Sequence, residues 1–94
     1  MFAVEIGERG EVRLNGRLDA SQADAAQQAL SGVVQSITAD CSGLEYISSA
    51  GISVLIHTYK RLHGLGMSLK LVNLAPRVRN VFVYAGLDKL LQIE

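Results

Sequence analysis

With 94 residues, nine basic against nine acidic side chains and 49% apolar residues, the chain fits one soluble folded domain rather than a disordered or multidomain protein. The neutral balance, the absence of Trp and the presence of only three Tyr and two Phe remove the basic face and stacking platform that nucleic acid needs. A single Cys excludes a disulfide framework, so a reducing cytoplasm is the expected compartment. No apolar run approaches the ~20 residues that cross a bilayer, and MFAVEIGERG lacks the basic-then-apolar order of a signal peptide.

FAVEI (2–6) alternates apolar and polar residues and predicts a strand; ERG turns the chain, and EVRLNG (11–16) predicts its hairpin partner. RLD (17–19) reads as a short loop. Ser21, with Asp24 three residues on, imitates a capping box for an alanine-rich helix through Ala23, Ala26, Gln27 and Leu30, ended by Ser31–Gly32. VVQSITADC (33–41) predicts the third strand. After SGLEYISS (42–49), Ile52, Leu55, Ile56, Tyr59 and Leu62 recur at spacings of three and four and predict the buried face of a second helix. Ser53, His57, Lys60 and Arg61 fall mostly on its other side. GLG (64–66) stops that helix, and MSLKLVNL (67–74) predicts a strand. Pro76 opens a third helix, where its missing N–H costs nothing. Val78, Val81, Phe82 and Ala85 form its expected buried face, Gly86 ends it, and LLQI (90–93) closes the chain as a short strand. The order ββαβαβαβ implies right-handed crossovers. The expected fold is one α/β domain over 1–94, with a mostly parallel sheet of four to five strands and an N-terminal hairpin strand.

In open α/β sheets ligands gather at the carboxyl ends of strands. Asp19, Asp40 (expected at the end of the third strand) and Ser48–Ser49 all point there. The orphan N–H groups of Gly51, Ile52 and Ser53, with the helix macrodipole, would receive a phosphate. One serine suffices as an N-cap, worth about 1 kcal/mol over alanine, yet two stand here. A nucleophile elbow needs G-x-S-x-G, and Ile47 occupies the first glycine position. His57 lies two turns from Ser49 and cannot act as its base. Cys41, His57 and His63 have no metal-ligand spacing, and Cys41 reads as a buried small hydrophobe. No phosphate-cradling glycine loop occurs. Asp19 and Asp40 could serve acid–base work, though Asp after a strand more often makes a turn. The expectation is a protein that is not an enzyme and holds no metal or cofactor.

DCSGLEYISSAGISVLI (40–56) closely resembles the signature of STAS domains of the anti-sigma-factor antagonist family. NGRLDAS (15–21) is similar to that family's Gly-x-Leu-Asp segment, and LKLVNLAPRVRNVFVYAGLDKLL (69–91) looks like its strand, proline-started helix and closing Gly-Leu turn. The resemblance covers nearly the whole chain. It implies a cytoplasmic phosphoprotein in a partner switch that regulates transcription, bound when unphosphorylated by an anti-sigma factor that is also a serine protein kinase. A metal-dependent serine phosphatase would reset it. Position by position, Ser49 falls on the phosphorylated serine. Its implied neighbours are Ser48, Ala50, Gly51, Asp19 and Asp40. Ser48 departs from the Asp of many members, which removes a negative neighbour of the acceptor hydroxyl. Ser53, His57 and Lys60 share an outward ridge with Ser49 and are expected to border the partner surface. A monomer or weak dimer is expected, without nucleic acid or membrane insertion. The alternative implied by the resemblance is a non-phosphorylated regulatory subunit of a lipid ABC-type transporter.

Overall fold

In the computed structural model, which describes residues 2–94, the chain begins as an antiparallel pair. β1 (Phe2–Ile6) runs against β2 (Glu11–Leu18), with Val4 opposite Leu14. The turn between them needs Gly10 at φ 84°, where a side chain would strike the Ser36 carbonyl. α1 (Ala23–Ser31), β3 (Ile37–Ile47), α2 (Ser49–Gly64), β4 (Leu69–Val72), α3 (Pro76–Tyr84), a 3₁₀ turn (Leu87–Lys89) and β5 (Gln92–Ile93) follow. The five strands lie in chain order, β1-β2-β3-β4-β5, and β2 to β5 are parallel. Right-handed crossovers that step in one direction place their helices on one side of the sheet. Burial agrees: Val12, Leu14, Ile37, Ala39, Leu69 and Leu71 are buried, while Glu11, Arg13 and Thr38 between them face water.

The third strand differs from expectation at both ends. Residues 33–36 are not strand, because Val33 N–H donates to the Leu30 carbonyl at 3.2 Å and finishes α1. Nor does the strand end at Cys41, since β3 continues to Ile47 and its ten residues 38–47 run beside the eight of β2. Two register shifts absorb the difference. Across them the buried positions change spacing, from Ile37, Ala39 and Cys41 to Leu44 and Ile47. That change broke the period-two pattern by which a strand is recognised.

The helices also settle differently from their simplest pattern. Ser21 does not cap α1; its hydroxyl donates to Asp19 Oδ1 at 2.6 Å, and Gln22 takes the N-cap position without a side-chain bond. α2 buries Gly51, Val54, Leu55, Thr58 and Leu62, and leaves Ile52, Ile56 and Tyr59 half-buried. Thr58 can be buried because its hydroxyl donates to the Val54 carbonyl at 2.8 Å. Arg61 does not face away from the domain. Its guanidinium donates to the carbonyls of Val33 (2.6 Å) and Leu30 (2.7 Å), satisfying the end of α1 from α2. α3 buries only Val78 and Phe82; Val81 and Ala85 are exposed, and Gly86 ends the segment at φ 74°.

Candidate functional site

The carboxyl ends of β2 and β3 meet the start of α2. Ser48 N–H donates to the Leu18 carbonyl at 3.0 Å, which ties the two strand ends together. Its extended backbone, φ −95° and ψ 174°, turns the chain, and its Oγ accepts from Gly51 N–H at 3.3 Å. Its carbonyl accepts from Ile52 N–H at 2.9 Å. Ser48 is therefore the N-cap. Ser49 is the first helical residue, exposed, and its hydroxyl has no hydrogen-bond partner among the described residues. The two serines divide the work.

Gly51 sets how closely α2 approaches the strands. A Cβ there would lie 2.7 Å from both Leu18 Cγ and the Leu18 carbonyl oxygen, and 2.9 Å from Ile47 Cγ1. Only a residue without a side chain lets the helix start at this depth, with Ala50 half-buried beside it.

Asp19 follows Leu18 directly and so flanks the site. Its Oδ1 accepts from Ser21 N–H (3.1 Å) and the Ser21 hydroxyl (2.6 Å), an Asx turn whose hydroxyl bond holds the carboxyl below its usual pKa. Asp40 is not a neighbour of Ser49. It is the fourth residue of β3, seven residues before Ile47, which is roughly 20 Å along a strand. Its Oδ1 accepts from Ser42 N–H (3.0 Å) and Asn73 Nδ2 (3.2 Å). These bonds, the backbone one foremost, lower its pKa. It lines a hollow of about 380 Å³ on the open sheet face with Glu5, Glu11 and Arg13. The expectation failed because the strand does not end at Cys41.

Ser53, His57 and Lys60 are all exposed, four, eight and eleven residues beyond Ser49, and they continue its outward line along α2. His63 stacks on Tyr59, with ring centroids 5.6 Å apart. Cys41 is fully buried, and desolvation, aided by Asp40, pushes its thiol up to about 12. Among the described residues no group of three or more His, Cys, Asp or Glu is placed to hold a metal ion, and no helix is long and apolar enough to cross a membrane.

β2 runs on through Arg17, whose guanidinium lies 4.4 Å above the Tyr46 ring. Residues 17 and 18 are thus strand rather than the expected loop. The signal available was alternation, since Arg13, Asn15 and Arg17 continue one face of the strand.

Residues 2–92 match the family model described as Mlab, STAS domain. Among solved structures, an anti-sigma factor antagonist from Mycobacterium paratuberculosis is 28% identical, with TM-score 0.77 over 99% of this chain and 83% of that one. The Bacillus cell fate determinant SpoIIAA in its phosphorylated form is 23% identical, with TM-score 0.73 over 100% of this chain and 91% of that one. A sulfate transporter family protein from Wolinella succinogenes is 14% identical, with TM-score 0.78 over 95% of this chain and 79% of that one. The last two likenesses show the fold alone.

Proposed function

Because the chain belongs to the STAS domain family, as 40–56 foretold, we propose that it is a phosphorylatable anti-sigma-factor antagonist in a partner-switching module. Unphosphorylated, it binds an anti-sigma factor that is also a serine protein kinase, and so releases that factor's target. Phosphate on Ser49 ends the binding, and a metal-dependent phosphatase restores it. The domain works as a cytoplasmic regulatory surface rather than as an enzyme.

The observation that supports this reading is the division between the serines. Ser48 is engaged through its N–H, carbonyl and hydroxyl, whereas the Ser49 hydroxyl stands exposed without a partner. A kinase needs a hydroxyl free to attack the γ-phosphate, and of the two serines Ser49 is the one whose hydroxyl is unengaged. The departure at Ser48 is also mild in physical terms: Ser and Asp are equally good N-caps, so the turn keeps its shape. What is lost is one negative charge beside the acceptor.

The test is phosphopeptide mapping of protein isolated from its native cells, with affinity capture of wild type and Ser49→Ala. Phosphate on Ser49, with co-captured kinase in the unphosphorylated form, is the expected result. Ser53→Glu and Lys60→Glu should weaken that capture without unfolding the domain. Phosphate chiefly on Ser48 would refute the site.

A second reading, a regulatory subunit of a lipid ABC-type transporter without phosphorylation, draws on the family resemblance and on the shared fold of a sulfate transporter family protein. Co-capture of a permease or its ATPase, with no phosphate on the chain, would favour it.

A further inference from the structure

Between the carboxyl end of β3 and the start of α3 lies a groove of about 190 Å³, lined by Arg17, Glu45, Tyr46, Ile47, Arg77 and Val81 among others. Two cations face this one hollow. Neither makes an ion pair: the salt bridges among the described residues join Arg13 to Glu5 and Lys70 to Glu94. The Arg17 guanidinium carbon lies 4.4 Å from the Tyr46 ring centroid, which steadies the cation at the hollow, and its N–H groups make no hydrogen bond among the described residues that would compete with a carboxylate. Arg77 stands in the first turn of α3 with Arg79 close behind it, and that turn has no acidic residue. Cations at a helix N-terminus oppose the macrodipole, so their placement works against local stability. The floor is apolar, with Ile47 buried and Val81 37% exposed.

We infer that this groove docks an acidic peptide segment of a partner protein, one that sets a carboxylate between Arg17 and Arg77 and an apolar side chain on Val81. Arg and Tyr are the residues most able to anchor such a contact. A nucleobase finds no platform, because Arg17 already covers a face of Tyr46. A bilayer surface fits poorly, because the hollow is concave. Ser49 is not part of the groove, so the inference is independent of phosphorylation.

The probe is a short fluorescein-labelled peptide of alternating Glu and Leu, titrated into the whole chain and followed by polarisation and amide shifts. A peptide of alternating Lys and Leu and vesicles of phosphatidylglycerol are run beside it. Saturable binding of the acidic peptide, weakened by salt, with shifts at Tyr46, Ile47, Arg77 and Val81, is expected. The double variant Arg17→Glu/Arg77→Glu should lose about tenfold or more in affinity. It should stay folded, because Arg77→Glu puts an acid where the macrodipole favours one. Circular dichroism checks this, and Arg17→Gln/Arg77→Gln serves if the reversal unfolds. Ser49→Ala should bind as wild type does. No saturable binding, equal binding of the basic peptide, unchanged affinity in the double variant, or association with the vesicles instead would each overturn the inference.

Discussion

Replacing the two serines one at a time separates fold from function. Ser48→Ala removes the acceptor for Gly51 N–H but leaves the backbone bonds to Leu18 and Ile52. Loss of an N-cap costs about 0.5–2 kcal/mol. At 3.3 Å the bond is slightly longer than the usual N–H···O range, which places this case at about 0.5–1 kcal/mol. Ser49 makes no side-chain bond and alanine is the better helix former, so Ser49→Ala should be neutral or gain a few tenths of a kcal/mol. The two variants should therefore differ by about 1 kcal/mol, roughly 4–8 °C in Tm for a domain of this size. Urea melts with a common slope would report the order of stability as wild type close to Ser49→Ala, then Ser48→Ala. Ser48→Asp should recover the lost stability, as an equally good cap whose charge suits the helix N-terminus. Kinase assays should give the opposite order, with incorporation abolished in Ser49→Ala and merely slowed in Ser48→Ala. If Ser49→Ala is the less stable variant, Ser49 is the cap and the assignment of the free hydroxyl fails.

Gly51→Ala should destabilise the domain although it improves helix propensity. The propensity gain is at most about 1 kcal/mol, whereas forcing a Cβ against the Leu18 carbonyl at 2.7 Å costs about 1–3 kcal/mol. A rise in the denaturation midpoint would contradict the packing described here. Cys41 should resist thiol reagents in the native state at neutral pH and react only on unfolding, since it is fully buried and its thiol lies near 12. Its raised pKa favours the neutral form, so that share of stability is complete below about 9 and is lost as pH rises toward about 12. Cys41→Ser should lessen the alkaline loss, and an unchanged alkaline profile would contradict the assignment.

The element order and the hairpin were legible because alternation and helical spacing are local signals, and α2 announces itself from Gly51 to Leu62. β3 was harder. Its two register shifts, between Arg13 and Asn15 and between Gly16 and Arg17 of β2, arise in the pairing across strands, which no single segment encodes. Misplacing its end carried Asp40 to the wrong pole of the molecule. Helical spacing puts Arg61 on the outer side, and only the tertiary approach of α1 to α2 brings the carbonyls of Leu30 and Val33 within its reach. Asp19 differs in another way: its bond to Ser21 displaces the expected capping box. Two serines at a helix start raise the question of which one caps, and only the bond to Gly51 decides it.

That geometry also bears on how phosphate at Ser49 would end partner binding. A phosphoserine adds about −1.5 to −2 charges, and a helix N-terminus favours such a charge by roughly 0.3–2 kcal/mol. With Asp40 seven residues upstream of Ile47, Asp19 is the carboxylate that flanks the site and opposes this gain. The isolated domain should then be unchanged or slightly stabilised. The Ser49 hydroxyl makes no internal bond that phosphate would break, so nothing in the fold needs to rearrange. The cost falls on the interface, where a new charge must be desolvated against a surface shaped for a hydroxyl. Such a charge can cost several kcal/mol, about a hundredfold or more in affinity. Ser49→Asp should weaken binding less, with about half the charge. Amide shifts on phosphorylation should cluster at residues 47–54 with circular dichroism unchanged. Shifts spread through the sheet would mean that the switch works by refolding, and this account would be wrong.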